Sequence, residues 1–138
     1  MIEEMAQRFT EIEEDLYMLL KCNNFGSYKD LLRITLERMN IKEINKAKPD
    51  WFGEVYCEGV PDYRTIYEID DGYYQGTLLF VVPELDYQPC NYFTFKVEYG
   101  SCAWCDTLQG IQDCKDETEK AQDYKTLCMH MIQSCKIV

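Results

Sequence analysis

Two neighbouring segments give the clearest secondary-structure signal in the chain: GTLLFVV at residues 76–82 and YFTFKVEY at residues 92–99. From Leu78 to Val82 every residue is apolar, which is typical of a strand that is covered on both faces. The second segment alternates between apolar and polar residues, and this period of two predicts a strand with one buried face and one wetter face. We therefore expect two paired strands, with Thr77–Val82 in the centre of a sheet.

Turn signals place further strands on either side of this central strand. Asp71-Gly72 separates it from Thr65–Ile69, and an Asp-Gly pair supplies the positive φ that a tight hairpin needs. Pro83 and the Tyr87-Gln88-Pro89 stretch predict the next turn. Val55–Cys57 is a predicted edge strand. Strands joined in this order by short turns form an antiparallel meander.

Helical periodicity is confined to the two ends of the chain. Apolar residues recur every three or four positions over Ile2–Lys21 and again up to about Asn40, where Ser27 is a predicted N-cap with Asp30 at capping-box spacing. A last helix begins near Asp116, and its apolar stripe consists of Ala121, Tyr124, Leu127, Cys128, Met131, Ile132 and Cys135. The sequence thus predicts a single α+β domain over residues 1–138. It would have two N-terminal helices, a three- to four-stranded antiparallel meander, and a C-terminal helix packed on the sheet.

Charge and composition exclude several classes of protein. The chain has 138 residues, with 14 Lys plus Arg against 25 Asp plus Glu and a formal net charge of -11. Direct binding to nucleic acid needs cations that neutralise phosphate, so this excess of carboxylates argues against it. Neither a membrane-spanning run nor a signal-peptide pattern is present, so we expect a cytoplasmic protein with no membrane partner. In that reducing compartment the 8 cysteines are expected to be thiols.

Carboxylates and tyrosines are concentrated in the middle of the chain. Between Asp50 and Glu98 there are ten acids against only Arg64 and Lys96, and eight of the 11 tyrosines lie between Asp50 and Tyr99. Carboxylates interleaved with amphipathic rings predict a surface that binds a basic partner, because tyrosine buries a large area and carboxylates steer association. The predicted partner-binding residues are Glu68, Asp70, Asp71, Tyr73, Tyr74, Glu84, Asp86 and Tyr87. The alternative is that the tyrosines pack a sheet and the acids only confer solubility.

The most distinctive motif is GSCAWCDTLQ at residues 100–109. Its Cys102-x-x-Cys105 spacing lets two thiolates reach one metal ion, but zinc would need two further ligands, and His130 is the only histidine. A redox role is weakened by Asp106, which would raise the thiol pKa rather than lower it. We favour buried, structural cysteines and therefore no cofactor, with zinc held by Cys102, Cys105 and His130 as the alternative.

Common enzyme motifs are missing from the sequence. It contains no phosphate-binding loop, no dinucleotide fingerprint and no His-Glu-x-x-His. The carboxylates show no spacing that singles out a catalytic pair. We therefore expect a protein that is not an enzyme, and we assign no catalytic residues.

Four stretches resemble an uncharacterised family of small phage and prophage proteins. They are GTLLF at residues 76–80, YQP at residues 87–89, YGSC with CDTLQ at residues 99–109, and YKTL at residues 124–127 with His130 and Gln133. The resemblance extends from about Thr65 to the C-terminus. It implies a phage-type genome and action inside a bacterial cell, where small acidic phage proteins often inhibit host defence.

Two functions fit this context. In the first, a non-enzymatic acidic protein binds and inhibits a basic host protein, such as a defence nuclease of the CRISPR type, by mimicking nucleic acid in its positive groove. In the second, the polar block that carries the resemblance forms a pocket for a small ligand, such as a signalling nucleotide, or for zinc. The residues of that alternative site are Tyr99, Ser101, Cys102, Cys105, Asp106, Thr107, Gln109, Tyr124 and His130. An apolar group around Trp51, Phe52 and Trp104 is either core or the seam of an oligomer.

Overall fold

A computed structural model describes residues 2–21, 27–70, 76–86, 88–99 and 117–138 of the chain. Within them there are three α-helices and five β-strands, in the order α1 (Ile2–Lys21), α2 (Tyr28–Lys46), β1 (Cys57–Pro61), β2 (Tyr67–Asp70), β3 (Gly76–Leu85), β4 (Tyr92–Tyr99), α3 (Glu117–Gln133) and β5 (Lys136–Ile137). Two helices, a group of strands and a last helix follow one another as the sequence predicts. The α+β class and the antiparallel arrangement are confirmed.

β3 is the central strand of the sheet, as expected from its apolar composition. β4 pairs along one side of it, and β1 and β2 pair with successive parts of the other side. β5 then adds to the free side of β4. All of these pairings are antiparallel, so each strand runs in the direction opposite to that of the strand with which it pairs.

One face of the sheet is buried and is called the inner face below. The register between β3 and β4 determines which side chains lie on it. Phe80 lies opposite Phe95 and Val82 lies opposite Phe93, and directly opposed residues share one face. These four side chains are fully buried in one hydrophobic cluster with residues of all three helices. On the other face of β3, here the outer face, Leu79 is only half-buried. The central strand is therefore covered on one face and partly open on the other, whereas its sequence predicts cover on both.

The helices follow the predicted apolar stripes. α1 packs against α2 and α3, and α3 also contacts β4. The predicted stripe of α3 is confirmed in full, since all seven residues from Ala121 to Cys135 in that set are buried. Ser27 caps α2 as predicted, and its Oγ accepts a hydrogen bond from the backbone N–H of Asp30 at 3.2 Å.

α2 continues about two turns beyond the predicted end at Asn40 and reaches Lys46. Asn40 belongs to the helix interior because its side-chain amide donates to the carbonyl of Leu36 at 2.9 Å, one helical turn earlier. A residue that often ends a helix is here held inside one by its own side-chain contacts.

The strands differ from the predictions at three places. Pro83 lies inside β3 opposite Tyr92, not in a turn, and its carbonyl accepts a hydrogen bond from the N–H of Asp62 at 2.8 Å. β1 begins at Cys57, where the predicted edge strand ends, and its register with β3 is interrupted by an irregularity that contains Gly59 at φ +74°. β5 has only two residues, too few for an alternation of apolar and polar residues to predict a strand.

Candidate functional site

Two predicted partner-binding carboxylates, Glu68 and Asp70, lie on β2, whose four side chains are all exposed. The pairing with β3 places Glu68 opposite Phe80 and Asp70 opposite Leu78. Alternate residues of a strand lie about 7 Å apart and point to the same side. The two carboxylates therefore form a short row of negative charge along one border of the sheet.

The apolar residues of β2 point to the outer face of the sheet. Tyr67 lies opposite Val81 and Ile69 lies opposite Leu79, so both belong to the face that the helices do not cover. Tyr67 is 59% exposed and Ile69 is 54% exposed. We call residues Tyr67–Asp70 the β2 surface: Tyr67 and Ile69 point to the outer face, and the exposed carboxylates of Glu68 and Asp70 point to the opposite side of the same border strand.

Two exposed lysines lie on the outer face of the sheet, towards β4 and β5. Lys96 lies opposite Leu79 and Lys136 lies opposite Thr94. Glu98 is close to Lys96 on the same face, so its charge is partly balanced there. The carboxylates of Glu68 and Asp70 point to the other side of the sheet, away from these lysines.

Glu84 does not belong to an exposed docking surface, and this corrects the prediction. Its side chain is only 7% exposed. Its Oε2 accepts hydrogen bonds from the backbone N–H of Gly59 at 3.2 Å and from Nδ2 of Asn91 at 3.5 Å. The carboxylate therefore stabilises the irregular pairing of β1 with β3 and is not available to a partner.

The remaining partner-binding residues do not form one continuous face with β2 in the described structure. Asp86 is exposed just beyond the C-terminal end of β3, whereas Asp70 lies opposite Leu78 near its beginning. Eight residues of strand separate these positions by about 26 Å. Asp71, Tyr73, Tyr74 and Tyr87 lie outside the described residues.

Most of the alternative ligand site also lies outside the described residues, namely Ser101, Cys102, Cys105, Asp106, Thr107 and Gln109. Of Tyr99 only its position at the end of β4 is described. Tyr124 and His130 are both on α3, but Tyr124 is fully buried and His130 is exposed. Six residues of helix turn through about 600°, which leaves the two side chains about 120° apart around the axis. α3 does not by itself bring them to one pocket.

Three of the four described thiols, those of Cys57, Cys128 and Cys135, are poor candidates for metal ligands. Burial raises the pKa of Cys128 to about 12 and that of Cys135 to about 11. Partial burial, reinforced by Glu43, also raises the pKa of Cys57, whose Sγ donates to the Glu43 carbonyl at 3.5 Å. A metal binds the thiolate form, which these surroundings disfavour. In the part of the chain that the structure describes, no group of three potential metal ligands occurs.

Sequence patterns missed one exposed apolar feature and left the location of a second, in the core or at the surface, undecided. An alternating Tyr-Glu-Ile-Asp segment normally predicts that Tyr67 and Ile69 face the core, and only the register with β3 shows the opposite orientation. Trp51 and Phe52 are not core residues, since they are 95% and 86% exposed. The exposure of this second feature could have been predicted from the sequence, because the two adjacent aromatic residues lie between Asp50 and Gly53 in a turn sequence.

Comparisons with protein-family models, with curated proteins and with solved structures found no match. The resemblance to small phage proteins therefore stays a prediction. No helix among the described residues is both long and apolar enough to cross a membrane.

Proposed function

We propose that the chain is a binding protein that recognises a basic host protein through the β2 surface and thereby inhibits it. The observation that supports this proposal is the orientation of β2. Its apolar side chains, Tyr67 and Ile69, point away from the helix-covered face, while Glu68 and Asp70 provide negative charge at the same border.

Exposed apolar groups next to carboxylates suit a protein interface. Burying Tyr67 and Ile69 against a partner removes apolar area from water, whereas in the free chain that area stays hydrated. Tyrosine is enriched among the residues that dominate binding energy, and carboxylates around it accelerate association with a positive surface. The partner that fits is a protein with an apolar depression bordered by Lys or Arg.

Inhibition follows if that positive surface is where the partner holds nucleic acid. A row of carboxylates on a strand presents repeated negative charge, as a phosphate backbone does, but it carries no cleavable phosphodiester. A defence nuclease occupied in this way loses access to its substrate. The resemblance to phage proteins supports this choice of host target.

The test is affinity capture from a bacterial lysate, at low and at high salt, with two charge-reversed variants. Glu68→Lys/Asp70→Lys reverses the β2 surface. Glu11→Lys/Glu14→Lys is the matched control, because it makes the same change in net charge at two exposed acids of α1. We expect the β2 variant to lose a basic protein that the wild-type chain and the control both retain, and we expect added single-stranded DNA or RNA to compete for that protein.

Loss of capture in both variants would show that total charge, and not the β2 surface, governs binding. Capture that is equal in all three proteins and insensitive to salt would contradict the proposal altogether. Thermal unfolding of each variant checks that charge reversal leaves the fold intact, as expected for exposed side chains.

A further inference from the structure

Residues Asp50–Glu54 form a closed loop that presents two aromatic side chains. The N–H of Asp50 donates to the carbonyl of Glu54 at 2.8 Å, and the N–H of Gly53 donates to the carbonyl of Asp50 at 3.1 Å. Oδ1 of Asp50 accepts from the N–H groups of Phe52 and Glu54, both at 2.9 Å. Gly53 has φ +80°, which glycine adopts without strain. We call this loop the aromatic tip.

Hydrogen bonds hold the backbone of the aromatic tip in place, but its two aromatic side chains are almost entirely exposed to solvent. Trp51 and Phe52 are the two most exposed large apolar side chains among the described residues. Four hydrogen bonds fix the backbone beneath them, so little further ordering is needed when the rings bind a partner. Rigid, exposed tryptophan is the residue type that most often anchors a protein interface.

A groove of about 480 Å³ lies between α1 and α2. Its apolar lining comes from Ile12, Met18, Leu19 and Ile41. Met18, in the last turn of α1, is 59% exposed, so this surface is not covered by the rest of the described chain. The volume falls within the range of about 300–1,000 Å³ that accommodates a compact organic group, and flexible methionine adapts to aromatic rings.

The predominant charge at the tip is negative, and the predominant charge along the groove is positive. Arg38 and Lys42 line the groove and are both exposed, while Asp50 and Glu54 are exposed carboxylates at the base of the tip. An aromatic group flanked by carboxylates thus matches an apolar groove flanked by cations. Both halves of this match occur on one chain.

A second match involves the remaining charged residues of the two features. Asp15 also lines the groove, and Lys48 is exposed two residues before the tip. Each feature therefore offers the other both a carboxylate and a cation.

We propose that the chain forms a two-fold dimer in which the aromatic tip of each copy occupies the α1–α2 groove of the other. A two-fold interface repeats every contact, so one tip and one groove per chain satisfy both subunits and leave neither feature free. Two Trp-Phe tips supply about 600–1,000 Å² of aromatic surface, and with the grooves that cover them the total reaches the 1,200–2,000 Å² of a stable interface.

Sedimentation equilibrium over a concentration series tests the dimer. We expect the average mass to rise from the 16.4 kDa of one chain towards twice that value. Trp51→Ala/Phe52→Ala should raise the dissociation constant at least about tenfold, as loss of anchoring aromatics does. Tyr92→Ala is the control, because it removes an exposed aromatic residue outside the tip, the groove and the β2 surface and should leave the mass distribution unchanged.

Mixing two variants identifies the groove as the site that receives the tip. Met18→Glu/Ile41→Glu blocks the groove, and we expect it to be monomeric alone, as the tip variant is. An equimolar mixture of the two retains one intact tip–groove contact and should form heterodimers that neither variant forms alone. Likewise, Glu54→Lys and Lys42→Glu should each weaken the dimer, and their combination on one chain should restore it.

Three outcomes would overturn this inference. The first is a wild-type chain that stays at 16.4 kDa throughout the series. The second is a dimer that survives Trp51→Ala/Phe52→Ala. The third is a monomeric chain that binds phosphatidylglycerol vesicles in a tip-dependent way, which would assign the tip to a lipid surface.

Discussion

Arg8 on α1 donates a hydrogen bond from Nη1 to Oδ1 of Asn40 on α2 at 3.0 Å. The same nitrogen reaches the carbonyl of Gly59 on β1 at 3.3 Å, so one guanidinium joins two helices to the edge of the sheet. Asn40 is fully buried, and its Nδ2 donates to Leu36. The oxygen and the nitrogen of this amide therefore both have protein partners, as a buried polar group requires.

Replacement of Asn40 by alanine is expected to lower the free energy of unfolding by about 1–3 kcal/mol. The change leaves Arg8 without its acceptor and opens a small cavity between the helices. Denaturant unfolding measures this loss, and Asn45→Ala, at an exposed position of the same helix, is the control that should change stability by less than about 0.5 kcal/mol. Equal effects of the two substitutions would contradict a structural role for the Arg8–Asn40 contact.

Glu84→Ala is expected to destabilise the sheet by about 1–3 kcal/mol, because the N–H of Gly59 would lose its carboxylate acceptor in a mostly buried setting. Glu84→Gln keeps one acceptor oxygen and should cost less. Glu68→Ala removes an exposed carboxylate from the neighbouring strand and serves as the control. If Glu84→Ala unfolds at the same denaturant concentration as the control, then Glu84 has no structural role and its exclusion from the partner surface is unfounded.

Alkaline pH is expected to destabilise the fold through its buried thiols. Burial raises the folded-state pKa of Cys128 from 9.0 to about 12 and that of Cys135 from 9.0 to about 11. The folded chain then binds more protons than the unfolded chain above pH 9, so the stability is fully present below pH 9 and declines as pH rises towards 11 and 12. Each thiol contributes a slope of about 1.4 kcal/mol per pH unit within its window.

Cys128→Ala separates this effect from the titration of lysines and tyrosines. The variant should lose stability less steeply with rising pH than the wild type, although it is less stable at neutral pH because of the smaller side chain. Cys90→Ala changes an exposed thiol and should retain the wild-type slope. Parallel curves for wild type and Cys128→Ala between pH 9 and 11 would refute the assignment.

Purified protein is expected to contain no stoichiometric zinc. His130, the only histidine, is exposed on α3, and the described thiols of Cys57, Cys128 and Cys135 all have raised pKa values that disfavour the thiolate. Elemental analysis after purification without chelator measures the ratio directly. A ratio near one that falls after Cys102→Ser/Cys105→Ser would instead establish the alternative site.

Periodicity was sufficient to predict the class of fold and the core. The buried faces of β4 and α3 can be derived from residue spacing alone, because a regular strand or helix turns the same parity or stripe to the core over its whole length. The extension of α2 past Asn40 and the inclusion of Pro83 in β3 could not be derived in this way. Asn40 accepts a hydrogen bond from Arg8 on another helix, and the carbonyl of Pro83 accepts one from Asp62, and only the folded chain brings these pairs together.

The functional surface was less predictable than the core. Local sequence identified the carboxylates of Glu68 and Asp70, but it gave no means of distinguishing them from Glu84, which is buried by its contact with Gly59 on another strand. The outward orientation of Tyr67 and Ile69 depends on the register between β2 and β3, and a shift of one residue would reverse it. Register is a long-range property, so charge density along the sequence does not show which of these side chains share one exposed surface.

The two kinds of side chain on the β2 surface are expected to control different steps of partner binding. Glu68→Gln/Asp70→Asn removes charge with little change in shape, and because long-range attraction accelerates encounter, this variant should lower the association rate and flatten its dependence on salt. Tyr67→Ala removes buried contact area in the complex, so it should raise the dissociation rate, by about tenfold if Tyr67 is an anchor. Surface plasmon resonance with the captured host protein measures both rates, and Tyr92→Ala, an exposed tyrosine on β4, is the control. If the charge-neutral variant instead dissociates faster at an unchanged association rate, the carboxylates make close contacts in the complex and do not steer its formation.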